Sequence, residues 1–142
     1  MSSLATLKIS DLSVGDWVEI DHEDYGWQPA QINVCGDLGI GAYFKDIDPE
    51  EEYDCTLSQA RPITITAEIL EMNGFESTTK PNVFTLTHGK LQLYVSKELD
   101  GWYMSFVNFM ERLCILQVIR KSYIHELQHA LRLAGVDKEI NL

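Results

Sequence analysis

Positive charge is what this chain has least of. Eleven Lys and Arg face 22 Asp and Glu over 142 residues, and the first 60 residues hold only Lys8 and Lys45 against 13 carboxylates. A surface of that sign repels phosphates, so no nucleic-acid partner is expected for this stretch. If it binds anything, the partner is expected to be a basic protein surface; otherwise the charge serves solubility. The remaining residues carry nine charges of each sign, so the imbalance is confined to one part of the chain.

Cysteine is scarce as well. Cys35, Cys55 and Cys114 are far apart, odd in number and outside any C-x-x-C pair. That excludes a disulfide framework or a zinc ribbon as the expectation and leaves free, buried thiols in a reducing cytoplasm. No apolar run approaches the ~20 residues of a membrane-spanning helix. The opening Met1-Ser2-Ser3-Leu4 is not a basic segment followed by an apolar one, so no secretory signal is expected. The expected location is therefore cytoplasmic, with no membrane association. No G-x-S-x-G elbow is present, and Gly36, Gly39 and Gly41 lack the context of a phosphate-binding loop, which makes them hairpin glycines. Oligomeric state is not specified by any of these features.

What is present is enough for a core: 45% of the residues are apolar. Val14-Gly15-Asp16-Trp17-Val18-Glu19-Ile20 reads as a turn feeding a strand, and Asp21 to Gly26 as an acidic loop. Trp27 to Cys35 and Gly39 to Phe44 read as the next strands, joined by a turn at Gly36-Asp37. An acidic loop from Lys45 to Glu52 leads to a strand over Tyr53 to Leu57. One helical turn and a short strand end at Ile63. Short strands around a tight turn in about 60 residues predict an SH3-like or Tudor-like small β-barrel over residues 1–63.

After Thr64 the period changes. Thr66 is placed to cap a helix carrying Ile69, Leu70 and Met72, stopped by Gly74. Four antiparallel strands are expected next, at Val83–His88, Leu91–Ser96, Trp102–Phe106 and Arg112–Ile119. A helix over Lys121–Ala134, stopped by Gly135, closes the chain. The expected fold is thus α+β: an N-terminal SH3-like barrel at 1–63, then a unit at 64–142 made of helix, four-stranded sheet and helix.

Two groups of residues carry candidate chemistry. Tyr25, Trp27, Tyr43, Phe44 and Tyr53 fall near strand ends beside acidic loops. Rings next to carboxylates attract cations, so Tyr25, Trp27, Tyr43, Asp46 and Asp48 form the candidate ligand-binding set, with rings that merely fill a small core as the alternative. The other group is His125-Glu126-Leu127-Gln128-His129, an H-E-x-x-H segment that on a helix can present two zinc-binding imidazoles and a general base. A helical projection puts Ile124, Leu127, Leu131, Ala130 and Ala134 on the core face and both histidines opposite, in solvent. No third ligand follows at the spacing of known zinc hydrolases. The expectation is therefore no catalytic residue, no metal site and no cofactor, with a zinc-dependent hydrolase as the alternative.

The stretches VGDWVEI, RPITIT followed by AEIL, and above all YIHELQHALRLAGVDKEINL carry a resemblance. They are similar to short acidic proteins of prophages and mobile elements of gut anaerobic bacteria. That group has no assigned activity and its members often replace the second histidine of the ending, so the resemblance implies no site residue. Together these features predict a non-enzymatic accessory protein that binds a basic protein. An acidic decoy for a basic nucleic-acid-binding protein is a further alternative.

Overall fold

The computed structural model describes residues 7–108, 114–120 and 122–142, with side chains described for 7–105 and 122–142. The expected strand start at Arg112 and helix start at Lys121 lie outside these. The chain is α+β and divides into two compact units, residues 1–63 and 64–142, where the hydrophobic period changes.

The first unit is one antiparallel sheet. β1 (Trp17–His22), β2 (Gly26–Gly36), β3 (Gly39–Phe44), β4 (Tyr53–Cys55) and β5 (Ala60–Pro62) are arranged in the order β4-β3-β2-β1-β5. A 3-10 turn, Leu57–Gln59, joins β4 to β5. The expected barrel is not closed: among the described residues β4 and β5 are the two edges of the sheet and do not pair.

Strand alternation sorts the faces. Val18, Ile20, Ala30, Ile32, Ile40, Ala42 and Phe44 form the core with Leu7 and Leu12. The register shifts between Ile32 and Val34, which inserts one extra residue into β2. That bulge lets Cys35 pack against the core behind Ile32 and leaves Val34 exposed. The turn into β1 is tied down by Asp16, fully buried, whose Oδ2 accepts the Ser13 N–H at 2.8 Å. Its carbonyl accepts the Ile32 N–H at 2.9 Å.

The second unit opens with α1 (Ala67–Met72), whose N-cap Thr66 accepts the Ile69 N–H on its hydroxyl at 3.2 Å, as the sequence predicts. Gly74, at φ +86°, ends it. The sheet has five strands, not the expected four: β6 (Glu76–Ser77), β7 (Val83–His88), β8 (Leu91–Glu98), β9 (Gly101–Asn108) and β10 (Cys114–Arg120), paired in chain order. The extra strand, β6, is two exposed residues long and leaves no alternation to read. Phe84, Leu93, Val95, Trp102 and Met104 are buried on it.

α2 (Ile124–Leu133) follows, with Ile124, Leu127, Ala130 and Leu131 buried. The chain after Gly135 stays ordered because Val136 and Ile140 are buried and Asn73 holds the tail. The Asn73 side chain is itself buried, donates from Nδ2 to Asn141 O at 2.7 Å and to Ile69 O at 2.8 Å, and accepts the Asn141 N–H on Oδ1 at 2.7 Å. It thus pairs with the tail as a neighbouring strand would. No helix among the described residues is long and apolar enough to cross a membrane.

Candidate functional site

The first unit carries an open depression of about 360 Å3 lined by Tyr25, Gln28, Asp46, Ile47 and Asp48. Two local structures build it. Gly26, at φ +73°, turns the chain from β1 into β2 and leaves Tyr25 at the tip, 62% exposed. On the other side Lys45 N–H donates to Pro29 O at 3.0 Å, which starts the acidic loop alongside β2. Asp48 adopts a left-handed φ of +38° and accepts the Glu51 N–H at 2.9 Å, so the loop curls back on itself. Aspartate tolerates that conformation better than most residues. Gln28, which also lines the depression, donates from Nε2 to Tyr25 O at 3.1 Å, and its side-chain carbonyl is an acceptor group.

Tyr25 does not stand alone. His22, at the end of β1, has its ring centroid 5.0 Å from Tyr25, 5.2 Å from Phe44 and 5.2 Å from Tyr53. Phe44 and Tyr53 pack edge to face at 5.1 Å. The Asp24 N–H donates to His22 Nδ1 at 3.1 Å, so the neutral imidazole carries its proton on Nε2. His22 is thus a keystone: it backs the Tyr25 ring and is itself held by two rings and one backbone donor. It was not among the sequence candidates. The signal was there, since His22 continues the Val18, Ile20 alternation by two residues.

Three of the five candidates, Tyr25, Asp46 and Asp48, therefore come together. Trp27 and Tyr43 do not join them, and alternation explains why. Trp27 follows β1's Asp21 in register and Tyr43 follows Gln31, both on the face opposite the core residues. On that face Arg61 already covers Trp27, its Cζ 4.2 Å from the ring centroid. The same guanidinium donates from Nε to Glu19 Oε1 at 3.1 Å. Trp27 thus carries a cation supplied by its own chain.

The H-E-x-x-H segment lies on α2 as expected, but its first histidine is enclosed. His125 is 4% exposed and Gln128 7%, which corrects the expectation that His125 faces solvent; His129 is half-buried. The helix is covered over an arc of about 220° at 100° per residue, so a single apolar stripe underestimates its buried side. His125 stacks on Tyr123 at 6.0 Å and meets His129 edge to face at 5.9 Å. Glu126 accepts the Tyr123 N–H on Oε1 at 3.3 Å, so the carboxylate caps the start of its own helix. Among the described residues no three His, Cys, Asp or Glu side chains converge to hold a metal ion.

Cys55, buried, is the described thiol with a displaced titration. Burial first and the adjacent Asp54 carboxylate second push it up to about 11. A thiol held protonated in this way is a weak nucleophile at neutral pH.

No family model matches the chain, and no curated protein or solved structure does either.

Proposed function

We propose that this chain is a non-catalytic binding module that docks a basic protein surface through its first unit. The observation that carries the proposal is the depression in which Tyr25 faces Asp46 and Asp48. It lies in a stretch where 13 carboxylates outnumber Lys8 and Lys45. An exposed ring beside carboxylates attracts a cation by both quadrupole and charge. The surrounding field steers basic partners in and phosphates away.

In this proposal the first unit is an SH3-like barrel left open. The strand order β4-β3-β2-β1-β5 and the 3-10 turn before β5 support it. The setting that fits the acidic opening and the resemblance carried by the ending is a cytoplasmic accessory protein of a prophage or mobile element. A decoy for a basic nucleic-acid-binding protein is the narrower form of the same proposal.

The test is fluorescence anisotropy with three labelled probes: a peptide of alternating basic and glycine residues, duplex DNA and single-stranded RNA. The peptide is expected to bind saturably at low salt and to weaken as salt approaches physiological strength. Glu50→Gln, Glu51→Gln and Glu52→Gln together slow its association. Absence of peptide binding, or tighter binding of either nucleic acid, overturns the proposal.

A further inference from the structure

We propose that the depression beside Tyr25 selects a guanidinium, so that the group it takes from a basic partner is an arginine side chain and not a lysine or a quaternary ammonium. This rests on the cation-binding proposal above and adds the identity of the cation.

Three observations lead there. The first is the number of rings. Enclosing a quaternary ammonium takes several aromatic faces. Here Tyr25 is the one ring that lines the depression. Phe44, only 3% exposed, belongs to the core behind it. One flat exposed ring suits a flat cation that stacks on it.

The second observation is the acceptor set. Asp46, Asp48 and Gln28, which line the depression with Tyr25, carry hydrogen-bond acceptors. A quaternary ammonium has no N–H to give them. A lysine ammonium has three donors around a single point. A guanidinium has five donors spread in one plane, so it can stack on Tyr25 and reach acceptors along its edge at the same time.

The third observation is internal. On the opposite face of the same sheet, the chain already assembles this combination. Arg61 lies over Trp27 at 4.2 Å and donates to the Glu19 carboxylate at 3.1 Å. Ring, carboxylate and guanidinium thus already meet once on this sheet, from β2, β1 and β5. At Tyr25 the ring and the carboxylates are present, and no Arg of the first 60 residues exists to fill the place.

The experiment is an NMR titration of the 15N-labelled full chain with three blocked amino acids: N-acetyl-arginine methylamide and its lysine and trimethyllysine counterparts. Saturable shifts are expected at the amides of Tyr25, Gln28 and Ile47. The arginine probe should bind about threefold or more tighter than the lysine probe, and the trimethyllysine probe most weakly. Asp46→Asn combined with Asp48→Asn, at two exposed positions, should erase the arginine preference and leave the rest of the spectrum in place. Equal binding of arginine and lysine, or tightest binding of trimethyllysine, overturns guanidinium selection while cation binding stands. An arginine preference that survives in the double variant also overturns it. No shift at these amides with any probe overturns the cation-binding proposal as well.

Discussion

His22 and His125 both pack against aromatic rings, and the two units use them in opposite ways. In the first unit His22 ends an edge-proximal strand, stays half-buried and backs an exposed tyrosine. In the second, His125 sits in the first turn of the closing helix at 4% exposure. One imidazole positions a surface; the other fills an interior. The difference follows from the elements that carry them. A strand end can leave one edge of a ring in water, whereas a helix packed over more than half its circumference cannot. A sequence motif is read along one element, but a binding surface is assembled across several. That is why a segment can spell a signature while its first histidine is buried, and the cluster around Tyr25 has no signature.

The largest expected effect tests the enclosed side of this comparison. Leu131→Ala should destabilise the protein by roughly 2–5 kcal/mol, because a fully buried leucine leaves a cavity. Leu133→Ala, two residues on and 90% exposed, should stay within about 0.5 kcal/mol. Equal denaturation midpoints for the two variants would place α2 the wrong way round. Next comes the tail. Asn73→Ala strands the Asn141 carbonyl and N–H, while the Ile69 carbonyl keeps the Asn73 backbone N–H, at a cost of roughly 2–3 kcal/mol. Hydrogen exchange at Ile140 and Asn141 should rise more than in the sheet.

The comparison itself is broken or kept by the two histidines. His125→Ala should cost roughly 1–2 kcal/mol of stability, as for a truncated buried side chain. His22→Ala should cost less and instead weaken binding of the basic peptide, since Tyr25 loses its support. Urea melts of both variants, with peptide affinity measured for His22→Ala, decide it; the reverse ranking in stability would refute the assignment. The smallest effect concerns Cys55. Its folded titration lies near 11, above the roughly 8.5 of an unfolded chain. The native state therefore keeps a proton that the unfolded state releases. Stability is whole below about pH 8.5 and falls as pH rises towards 11. Cys55→Val should flatten the decline, read as denaturation midpoints against pH.

The strands of both sheets were legible because alternation survives in them: Val18 and Ile20, Ala30 and Ile32, Leu93 and Val95. The joint at Ile63–Thr64 was legible as a change of period, and the caps Thr66 and Gly135 as residue chemistry. Three things were not. β6 is too short to alternate. His22 was hidden by its neighbours, because Asp21 and Glu23 read as loop residues although β1 runs through Asp21 and His22. His125 was assigned to water because polarity stood in for exposure, which fails where burial extends over more than half of a helix. Of the residues around the depression, Tyr25, Asp46 and Asp48 were named from rings and carboxylates near strand ends. Trp27 and Tyr43 were not separable from them until register assigned the faces.

The clamp formed by Asn73 has one more consequence, a chemical one. Asn73 is followed by Gly74, the dipeptide in which an asparagine side chain most readily cyclises onto the next backbone nitrogen and loses ammonia. In the folded chain that attack is blocked. The amide nitrogen is engaged by two carbonyls, and the Gly74 N–H is itself donated to Glu71 O at 3.1 Å. Once the chain opens, both restraints vanish together. The carboxylate that results on hydrolysis would face two carbonyl oxygens with no proton to offer, so the tail could not close as before. Asn73 therefore ages only in molecules that have been unfolded, and the fraction converted is a cumulative record of time spent open.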